Sequence, residues 1–407
     1  MRLLAASALA ASIAVAVAAC GRNAPPPVAN WTLHLNRLDS PAADASAQPQ
    51  LTSSNGGVIL SWLESAGSET KLKFSERTAA GWSEARRIVA GSDLFSNWAD
   101  VPSVVRLANG TLVAHWLQEH AGAGYDLRLT RSTDDGRTWS APFSPHHDGT
   151  RTQHGFASLF DTGNGLGVVW LDGRAMTPGA RPNDEGTGDM GLRAARFDRD
   201  WKQVSEGPID LRVCECCPTA SAVTYDGPIV AYRNRSADET RDIYVSRFTG
   251  EAWTVPAPVH NDLWKIDGCP VNGPALSAVD RNVAVAWFTA PQDEGHAFVA
   301  FSQDSGRTFT APIRVDDTGS LGRVDVEQMP DGSAVVGWVE FANTSAVFKV
   351  RRIQRNGQRS AAVTVTDLGA RRNSGYPRIA RGGQELIVAW TGTGDRLRVE
   401  TAVARLP

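Results

Sequence analysis

Four cysteines lie in two short segments of the chain. Cys214, Cys216 and Cys217 fall within one stretch, and Cys269 lies in a second stretch that is rich in glycine and proline. Apart from Cys20, these are all the cysteines of the chain, and four cysteines in an oxidising compartment predict two disulfides. One of the two disulfides would join Cys269 to the first segment. The remaining two cysteines would pair with each other, and a bond between the neighbours Cys216 and Cys217 is one such pairing. Two alternatives stay open: a thiolate site for copper or zinc, with His154 as a further ligand, or a redox-active dithiol.

Three acidic residues have the side-chain type that glycoside hydrolysis needs. Asp100, Glu119 and Asp172 each lie at the boundary of an apolar run. Glycosidases use a pair of carboxyl groups, one as acid or base and one as nucleophile or base. These three residues are therefore candidates for such a pair, provided that the fold brings them to one place.

The elements that would position these residues form an internal repeat. A short β-rich run that ends in an aromatic residue recurs seven times, roughly 50 to 60 residues apart, which is the period of a four-stranded propeller blade with its loops. The aromatic residues that end the runs are Trp62, Trp116, Trp170, Tyr232, Trp287, Trp338 and Trp390. Turn pairs such as Asn109-Gly110 and Asp331-Gly332 precede the runs and predict tight hairpins. The sequence therefore predicts an all-β protein, a β-propeller of seven blades.

The two ends of the chain are predicted to close the ring. The last repeat contains only three strands, and residues 31–35 have the alternating apolar pattern of a strand. Pairing of this N-terminal strand with the last repeat would leave no open sheet edge. We expect residues 31–407 to form a single propeller domain.

The start of each innermost strand and the loop after each aromatic residue should converge on one mouth of the central channel. The loops contribute Glu119 as a further candidate. The side chains that we expect to bind a ligand there are Asp100, His154, Arg174, Arg233, Asn272, Arg323 and Tyr376.

Two turns between the third and fourth strands of a repeat carry a sialidase-like motif. The motif residues are Ser132, Asp134, Gly136 and Trp139 in one copy and Ser302, Asp304, Gly306 and Phe309 in the other. They resemble the Asp box (BNR repeat) of sialidases, in which the Asp side chain accepts backbone N–H groups within the turn. The chain is therefore similar to the sialidase superfamily along nearly its whole length. Sialidases have six blades, so the resemblance keeps six as the alternative to seven.

The resemblance also implies a catalytic apparatus, which this sequence matches in part. A sialidase uses three arginines for the sugar carboxylate, a Tyr–Glu nucleophile pair and an Asp acid/base. Arg323, Arg233 and Arg235 could form part of the arginine clamp, and Tyr376 could be the nucleophile. Asp100, however, stands where the first arginine of the family is expected, and a carboxylate there would repel sialic acid. The sequence therefore does not assign the catalytic residues, and the candidates are Asp100, Tyr376, Glu119 and Arg323.

The N-terminus predicts export and lipidation. Residues 1–19 have a positive start, an apolar run and small residues before Cys20, as in a signal peptide. The small pair before the cysteine resembles a lipobox, so we expect Cys20 to carry the lipid and residues 20–30 to be a proline-rich tether. Gly21, rather than Asp, after the cysteine favours the outer membrane. The expected partners are the membrane, through the lipid anchor, and a carbohydrate or protein ligand.

The net charge limits the function classes. The formal charge is −3 with acidic and basic residues interspersed, which gives no electrostatic footprint for nucleic acid. Our interpretation is an outer-membrane-anchored, sialidase-like propeller lipoprotein that binds a glycan or protein at the channel mouth. The alternatives are an exo-sialidase or other glycoside hydrolase, and a cysteine-based metal-binding or redox protein.

Overall fold

A computed structural model describes residues 31–406 apart from residues 55–56, 121–123, 178–186, 343, 370–373 and 395–396. The described chain is almost entirely β structure, with one single-turn 3-10 helix at Pro291–Asp293. Among these residues, no helix is both long and apolar enough to cross a bilayer. The predicted signal peptide, Cys20 and the tether lie outside the described residues.

Seven antiparallel sheets follow one another along the chain and form the blades of a propeller. Blade 1 contains β2 (Ser46–Ser54), β3 (Gly57–Ala66), β4 (Glu69–Thr78), β5 (Gly81–Trp82) and β6 (Arg86–Gly91), and blade 2 contains β7 (Ser103–Arg106), β8 (Leu112–Glu119) and β9 (Tyr125–Ser132). Blade 3 contains β10 (His154–Asp161), β11 (Gly165–Asp172), β12 (Gly191–Asp198) and β13 (Gln203–Asp210). Blade 4 contains β14 (Ala220–Thr224), β15 (Gly227–Arg233), β16 (Ile243–Arg247) and β17 (Ala257–Pro258).

The remaining three blades continue the same order. Blade 5 contains β18 (Ala275–Val279), β19 (Asn282–Thr289), β20 (His296–Ser302) and β21 (Ile313–Arg314). Blade 6 contains β22 (Gly322–Gln328), β23 (Ala334–Ala342), β24 (Ser345–Ile353) and β25 (Val363–Gly369), and blade 7 contains β26 (Arg378–Gly382), β27 (Glu385–Thr391), β28 (Val399–Arg405) and the N-terminal β1 (Asn36–Leu38). The seven predicted blades are therefore confirmed.

The aromatic residue that ends each repeated run is buried between blades. Trp62, Trp170 and Trp338 are fully enclosed, and such large rings contribute much of the apolar area that a core removes from water. A buried indole N–H needs an acceptor, and a strand residue two positions on projects from the same face. The Trp170 indole accordingly donates to Asp172 at 2.8 Å. The carboxylate of Asp172 thus has a structural partner in addition to any chemical role.

The ring closes through the N-terminus, but the closing strand differs from the predicted one. β1 pairs with β28 in the register Asn36 to Val403, whereas residues 31–35 were predicted to pair. Trp31 and Leu33 instead pack into the apolar cluster between blades 6 and 7. The alternation of apolar residues at 31–35 reflects burial against the core and not sheet pairing.

The turn at residues 132–139 is held by side chains that accept backbone N–H groups. Ser132 Oγ accepts the Gly136 N–H at 2.8 Å, and Asp134 accepts the Thr138 N–H at 2.9 Å. Gly136 has a φ of 79°, which favours glycine. A Cβ there would also lie 2.4 Å from Phe74 of the preceding blade. The turn therefore requires glycine both for its conformation and for its packing.

The turn at residues 302–309 repeats this geometry. Ser302 Oγ accepts the Gly306 N–H at 2.9 Å, and Asp304 accepts the Thr308 N–H at 2.9 Å. Gly306 has a φ of 80° and packs against Ile229. Two turns that are distant in sequence thus have one hydrogen-bonding pattern.

Candidate functional site at the channel mouth

The innermost strands of all seven blades line a central cavity of about 520 Å³. The cavity lies on the propeller axis, and its wall carries several ionisable groups among small apolar side chains. Asp100, Asp325 and Glu327 supply carboxyl groups, and Arg378 and Arg381 supply guanidinium groups. A polar cavity of this size is suitable for a small hydrophilic ligand.

Three innermost strands carry a bulge where they begin at the mouth. The strand register shifts at Gln48 in β2, at Phe156 in β10 and at Arg323 in β22. Each of these residues has a positive φ, of 58°, 51° and 50° respectively, although non-glycine residues seldom adopt it. Bulges redirect side chains and are frequent beside binding sites. The occurrence of the same bulge in three blades therefore supports a binding role for this end of the channel.

Asp100 is almost fully enclosed at the entrance to blade 2. Its carboxylate accepts the Phe156 N–H at 2.7 Å and so links blades 2 and 3. Burial raises the pKa of Asp100 to about 7, and the hydrogen bond from Phe156 opposes this rise. The carboxyl group therefore exchanges its proton near neutral pH, as a general acid or base would.

Asp325 and Glu327 form a carboxyl pair, two positions apart on the channel face of β22. Asp325 accepts the Ile379 N–H at 2.8 Å from the neighbouring blade. Burial raises the pKa of Asp325, and the nearby Arg378 opposes this rise. Burial, aided by the charge of Asp325, raises the pKa of Glu327 to about 8. Glu327 is therefore largely protonated at neutral pH and can donate as well as accept a hydrogen bond.

Sequence reasoning did not identify Glu327 or Arg378 as site residues. Their side chains enter the channel because alternate residues of an innermost strand face the axis. The alternation of Asp325 and Glu327 along β22 is a sequence signal that they share one face of the strand, but it does not show which face meets the axis. The Arg378 Nε is buried without a hydrogen-bond partner, so this donor is unsatisfied in the structure.

The rim of the mouth carries an aromatic pair. The rings of Trp98 and Tyr376 stack with centroids 6.1 Å apart, and the Arg323 guanidinium lies 5.0 Å above the Trp98 ring. Tyr376 is buried, and its hydroxyl donates to the Val271 carbonyl at 2.6 Å. Burial raises the Tyr376 pKa to about 12. In this conformation the phenol is neutral and holds the Val271 carbonyl. A nucleophilic role for Tyr376 stays a prediction, and it requires the hydrogen bond to Val271 to break.

Arg323 and Asn272 meet between blades 5 and 6. The Asn272 side chain accepts the Arg323 N–H at 2.8 Å, and the Arg323 guanidinium donates to Ser374 Oγ at 2.8 Å and to the Gly375 carbonyl at 3.0 Å. Arg323 therefore lies at the mouth, as predicted from its place at the start of a strand.

Arg233 lies deeper, and its guanidinium is directed into the protein. It is 1% exposed and donates to the carbonyls of Asn272 at 2.8 Å and Phe288 at 2.6 Å, as well as to that of Arg241. Burial lowers its pKa to about 10. These bonds join two loop segments to the end of β19, so ligand binding by Arg233 stays a prediction.

Three other mouth candidates, Glu119, Arg174 and His154, lie outside the cavity lining. Glu119 is exposed at the end of β8, away from the cavity wall. Arg174 pairs with Asp172 at 2.7 Å and with Glu206 at 3.0 Å. His154 is fully buried behind the mouth and does not line the cavity. Of the predicted residues, Asp100 and Tyr376 line the cavity, and Arg323 and Asn272 contact each other beside them.

The four cysteines meet at the junction of blades 4 and 5. Cys216 is disulfide-bonded to Cys269 with their Cα atoms 6.1 Å apart, and Cys214 is bonded to Cys217 with a Cα separation of 5.7 Å. The first bond joins the two segments, as expected, whereas the pairing of neighbours Cys216 and Cys217 is not observed. Copper or zinc binding by these sulfurs stays a prediction.

The comparisons with known proteins concern architecture. No family model and no curated protein matches the chain. Among solved structures, polysaccharide lyase Uly1 is similar with a TM-score of 0.55 and 10% identity, over 90% of this chain and 91% of that chain. A protein of unknown function from Dyadobacter fermentans has a TM-score of 0.49 and 13% identity, over 92% of this chain and 99% of that one. A Trypanosoma rangeli sialidase bound to sialic acid has a TM-score of 0.43 and 12% identity, over 81% and 56% of the respective chains. At these identities, what the chain has in common with other proteins is the β-propeller fold.

Proposed function

We propose that the protein is an exported lipoprotein whose propeller binds a carbohydrate at the mouth of its central channel. The observation that carries this proposal is the set of channel groups formed by Asp100, Asp325, Glu327 and Arg378 around a cavity of about 520 Å³. These four groups do not include the three arginines and the Tyr–Glu pair that a sialidase uses, so we propose binding without hydrolysis.

The chemistry of the channel suits hydroxyl groups. A sugar hydroxyl both donates and accepts, and therefore needs both kinds of partner. Glu327 is protonated near neutral pH and can act in both ways, while Arg378 donates only. Trp98 at the rim offers an aromatic edge or face to the apolar side of a sugar ring. The cavity volume lies in the range of sites for small ligands.

Exo-sialidase activity is the second candidate function. We propose that the turns at residues 132–139 and 302–309 are Asp boxes, because both have the same serine, aspartate and glycine hydrogen bonds. Exo-sialidase activity would in addition require Tyr376 to leave the Val271 carbonyl and Arg233 to leave its carbonyl partners. Binding requires neither change, and we therefore prefer it.

A binding panel tests the proposal. Isothermal titration of the purified protein against neutral, uronate-containing and sialylated oligosaccharides should give at least one saturable ligand. Glu327→Gln and Arg378→Gln should each weaken it by about tenfold or more, because each removes a charged or protonatable partner of a buried hydroxyl. Arg137→Gln, on the exposed turn of the opposite face, is the matched control and should bind normally.

Three outcomes would count against carbohydrate binding. They are no saturable ligand in the panel, unaltered binding by both channel variants, and saturable binding of a protein partner in its place. Release of the aryl group from an aryl sialoside would instead favour the hydrolase, and loss of that turnover in Tyr376→Phe would identify the nucleophile.

Export and anchoring have their own test. The features that support them are the apolar run of residues 1–19 and the small residues before Cys20. In a bacterial host with two membranes, the wild type should carry a labelled fatty acid and fractionate with the outer membrane. Cys20→Ser should lose both properties, and retention of the label by this variant would refute lipidation at Cys20.

A further inference from the structure

A compact group of histidines and aspartates lies between blades 2 and 3, behind the channel mouth. We call it the histidine–aspartate cluster, and its members are His120, Asp126, His146, Asp148 and His154. They come from four parts of the chain: the β8–β9 connection, β9 itself, the loop before β10, and the first residue of β10. Neither the channel nor the proposed carbohydrate site uses them.

One carboxylate oxygen lies close to three imidazole nitrogens. Asp126 Oδ1 is 3.1 Å from His120 Nε2, 3.6 Å from His146 Nε2 and 3.5 Å from His154 Nδ1. The ligand atoms of Asp126, His146 and His154 all lie within 4.8 Å of one another. In a tetrahedral zinc site with bonds of about 2.0–2.1 Å, neighbouring ligand atoms are about 3.3 Å apart. The observed separations are close to the edges of such a tetrahedron.

The imidazole nitrogens that face Asp126 are buried without hydrogen bonds. His154 is 0% and His146 is 6% exposed, and the His120 Nε2, His146 Nε2 and His154 Nδ1 atoms have no hydrogen-bond partner. An unsatisfied buried polar group costs about 1–3 kcal/mol, so several of them close together need an explanation. A cation would satisfy all of these lone pairs together.

A second carboxylate lies beside the far sides of the same rings, although Asp148 Oδ2 and His154 Nε2 are not hydrogen-bonded in this conformation. Asp148 Oδ2 lies 3.4 Å from His146 Nδ1 and 3.2 Å from His154 Nε2. Asp148 is itself held by the Thr150 N–H at 3.0 Å and by Arg174 at 3.4 Å. A carboxylate behind a ligating imidazole fixes its tautomer and raises its basicity. Asp126 and Asp148 thus have different positions: one faces the proposed ion, and the other orients the rings.

The opposite edge of the cluster is a poorer cation site. Asp148, His154 and Asp172 also lie close together. However, the Arg174 guanidinium donates to Asp172 at 2.7 and 2.9 Å, so a positive charge already occupies that side. Charge balance therefore favours the edge that contains Asp126.

We propose that Asp126, His146 and His154, completed by His120 or by water, bind one divalent cation of the zinc class between blades 2 and 3. Imidazole nitrogen with one carboxylate is a donor set that suits zinc better than calcium or magnesium. The His146 and His154 rings are parallel, with centroids 3.9 Å apart. Both rings can therefore direct their lone pairs at one ion only after one ring tilts.

The ion would tie the loop before β10 to blade 2 and so hold the wall behind the mouth.

Metal analysis of the wild type tests the proposal without any substitution. Protein prepared without a histidine tag, stripped with a chelator and dialysed against zinc should retain about one zinc per chain. X-ray absorption at the zinc edge should report nitrogen and oxygen neighbours at about 2.0–2.1 Å from the ion and no sulfur at about 2.3 Å. Retention of no zinc, or a sulfur-ligated zinc, would overturn the proposal.

Variants then locate the ion. His146→Gln and Asp126→Asn should lower zinc affinity by at least about tenfold, and Asp148→Asn by about 10–100-fold through the orientation of the rings. His147→Gln, the exposed neighbour of His146, is the matched control and should bind as the wild type does. Circular dichroism establishes that each chain is folded, and the partly exposed Asp126 allows a test if His146→Gln does not fold.

A cysteine variant separates this site from the cysteine segments. The double substitution Cys216→Ser with Cys269→Ser should keep the zinc. Loss of zinc in this chain alone, or equal zinc binding by all the histidine and aspartate variants, would assign the ion elsewhere. None of these variants replaces a residue that lines the channel, so carbohydrate binding can fail while the metal site holds, and the reverse.

Discussion

Replacing Glu327 by glutamine should change how stability depends on pH. Glutamine keeps the size and the hydrogen bonds of the protonated carboxyl but cannot ionise. Each tenfold change in a protonation constant is worth about 1.4 kcal/mol, so a pKa raised from 4.5 to about 8 costs the folded state at most about 5 kcal/mol when Glu327 is fully ionised. Since the carboxyl faces the channel, water screens it, and we expect about 2 kcal/mol.

The direction of the effect follows from proton binding. Between pH 4.5 and about 8 the folded state binds more protons than the unfolded chain at this site, so the wild type loses stability as pH rises through this range. Glu327→Gln removes that loss. The variant should therefore match the wild type near pH 5 and be more stable near pH 9.

Thermal or urea unfolding between pH 5 and pH 9 measures this difference. Glu119→Gln is the control, because it removes one exposed carboxylate outside the cavity, and it should give no pH-dependent difference. An equal stability change for Glu327→Gln at both pH values would refute the argument, since it would mean that the carboxyl does not titrate in this range.

Two further predictions concern the disulfides and the turns. The Cys216–Cys269 bond closes a much longer loop than the Cys214–Cys217 bond, so it restricts the unfolded chain more. Replacing both cysteines by serine should therefore destabilise the protein by about 4 kcal/mol for the first bond and by about 2 kcal/mol for the second. Equal urea midpoints for the two double variants would contradict this order. The hydrogen bonds of Asp304 lower its pKa to about 2, with burial acting against them, so Asp304→Ala should cost about 1 kcal/mol above pH 4 and less as pH falls toward 2. Unfolding at pH 6 and pH 3 would check it, and a constant difference would count against it.

The blade count could be predicted because its signals are local. A turn pair such as Asn109-Gly110 and a buried aromatic such as Trp116 recur within each repeat, and each hairpin forms from neighbouring residues. The closing strand could not be predicted as reliably. Both Trp31 and Asn36 lie near the end of the ring, and only long-range packing decides that Trp31 fills the core while Asn36 pairs with β28.

The site was only partly predictable for a similar reason. Asp100 and Arg323 lie where their strands begin, so the propeller topology alone places them at the mouth. Glu327 depends on which residues of β22 face the axis, which the sequence does not show without the other strands. His146 and Asp148 belong to a loop with no regular pattern, and only the folded chain brings them to His154.

The most direct test of the central claim is a crystal structure of the protein with the carbohydrate that binds most tightly in the titration panel. We predict sugar density in the central channel, with hydroxyl groups within about 3 Å of Glu327 and Arg378 and a ring against Trp98. Density confined to the outer surface of the blades, or to the face that carries the turns at residues 132–139 and 302–309, would contradict the account.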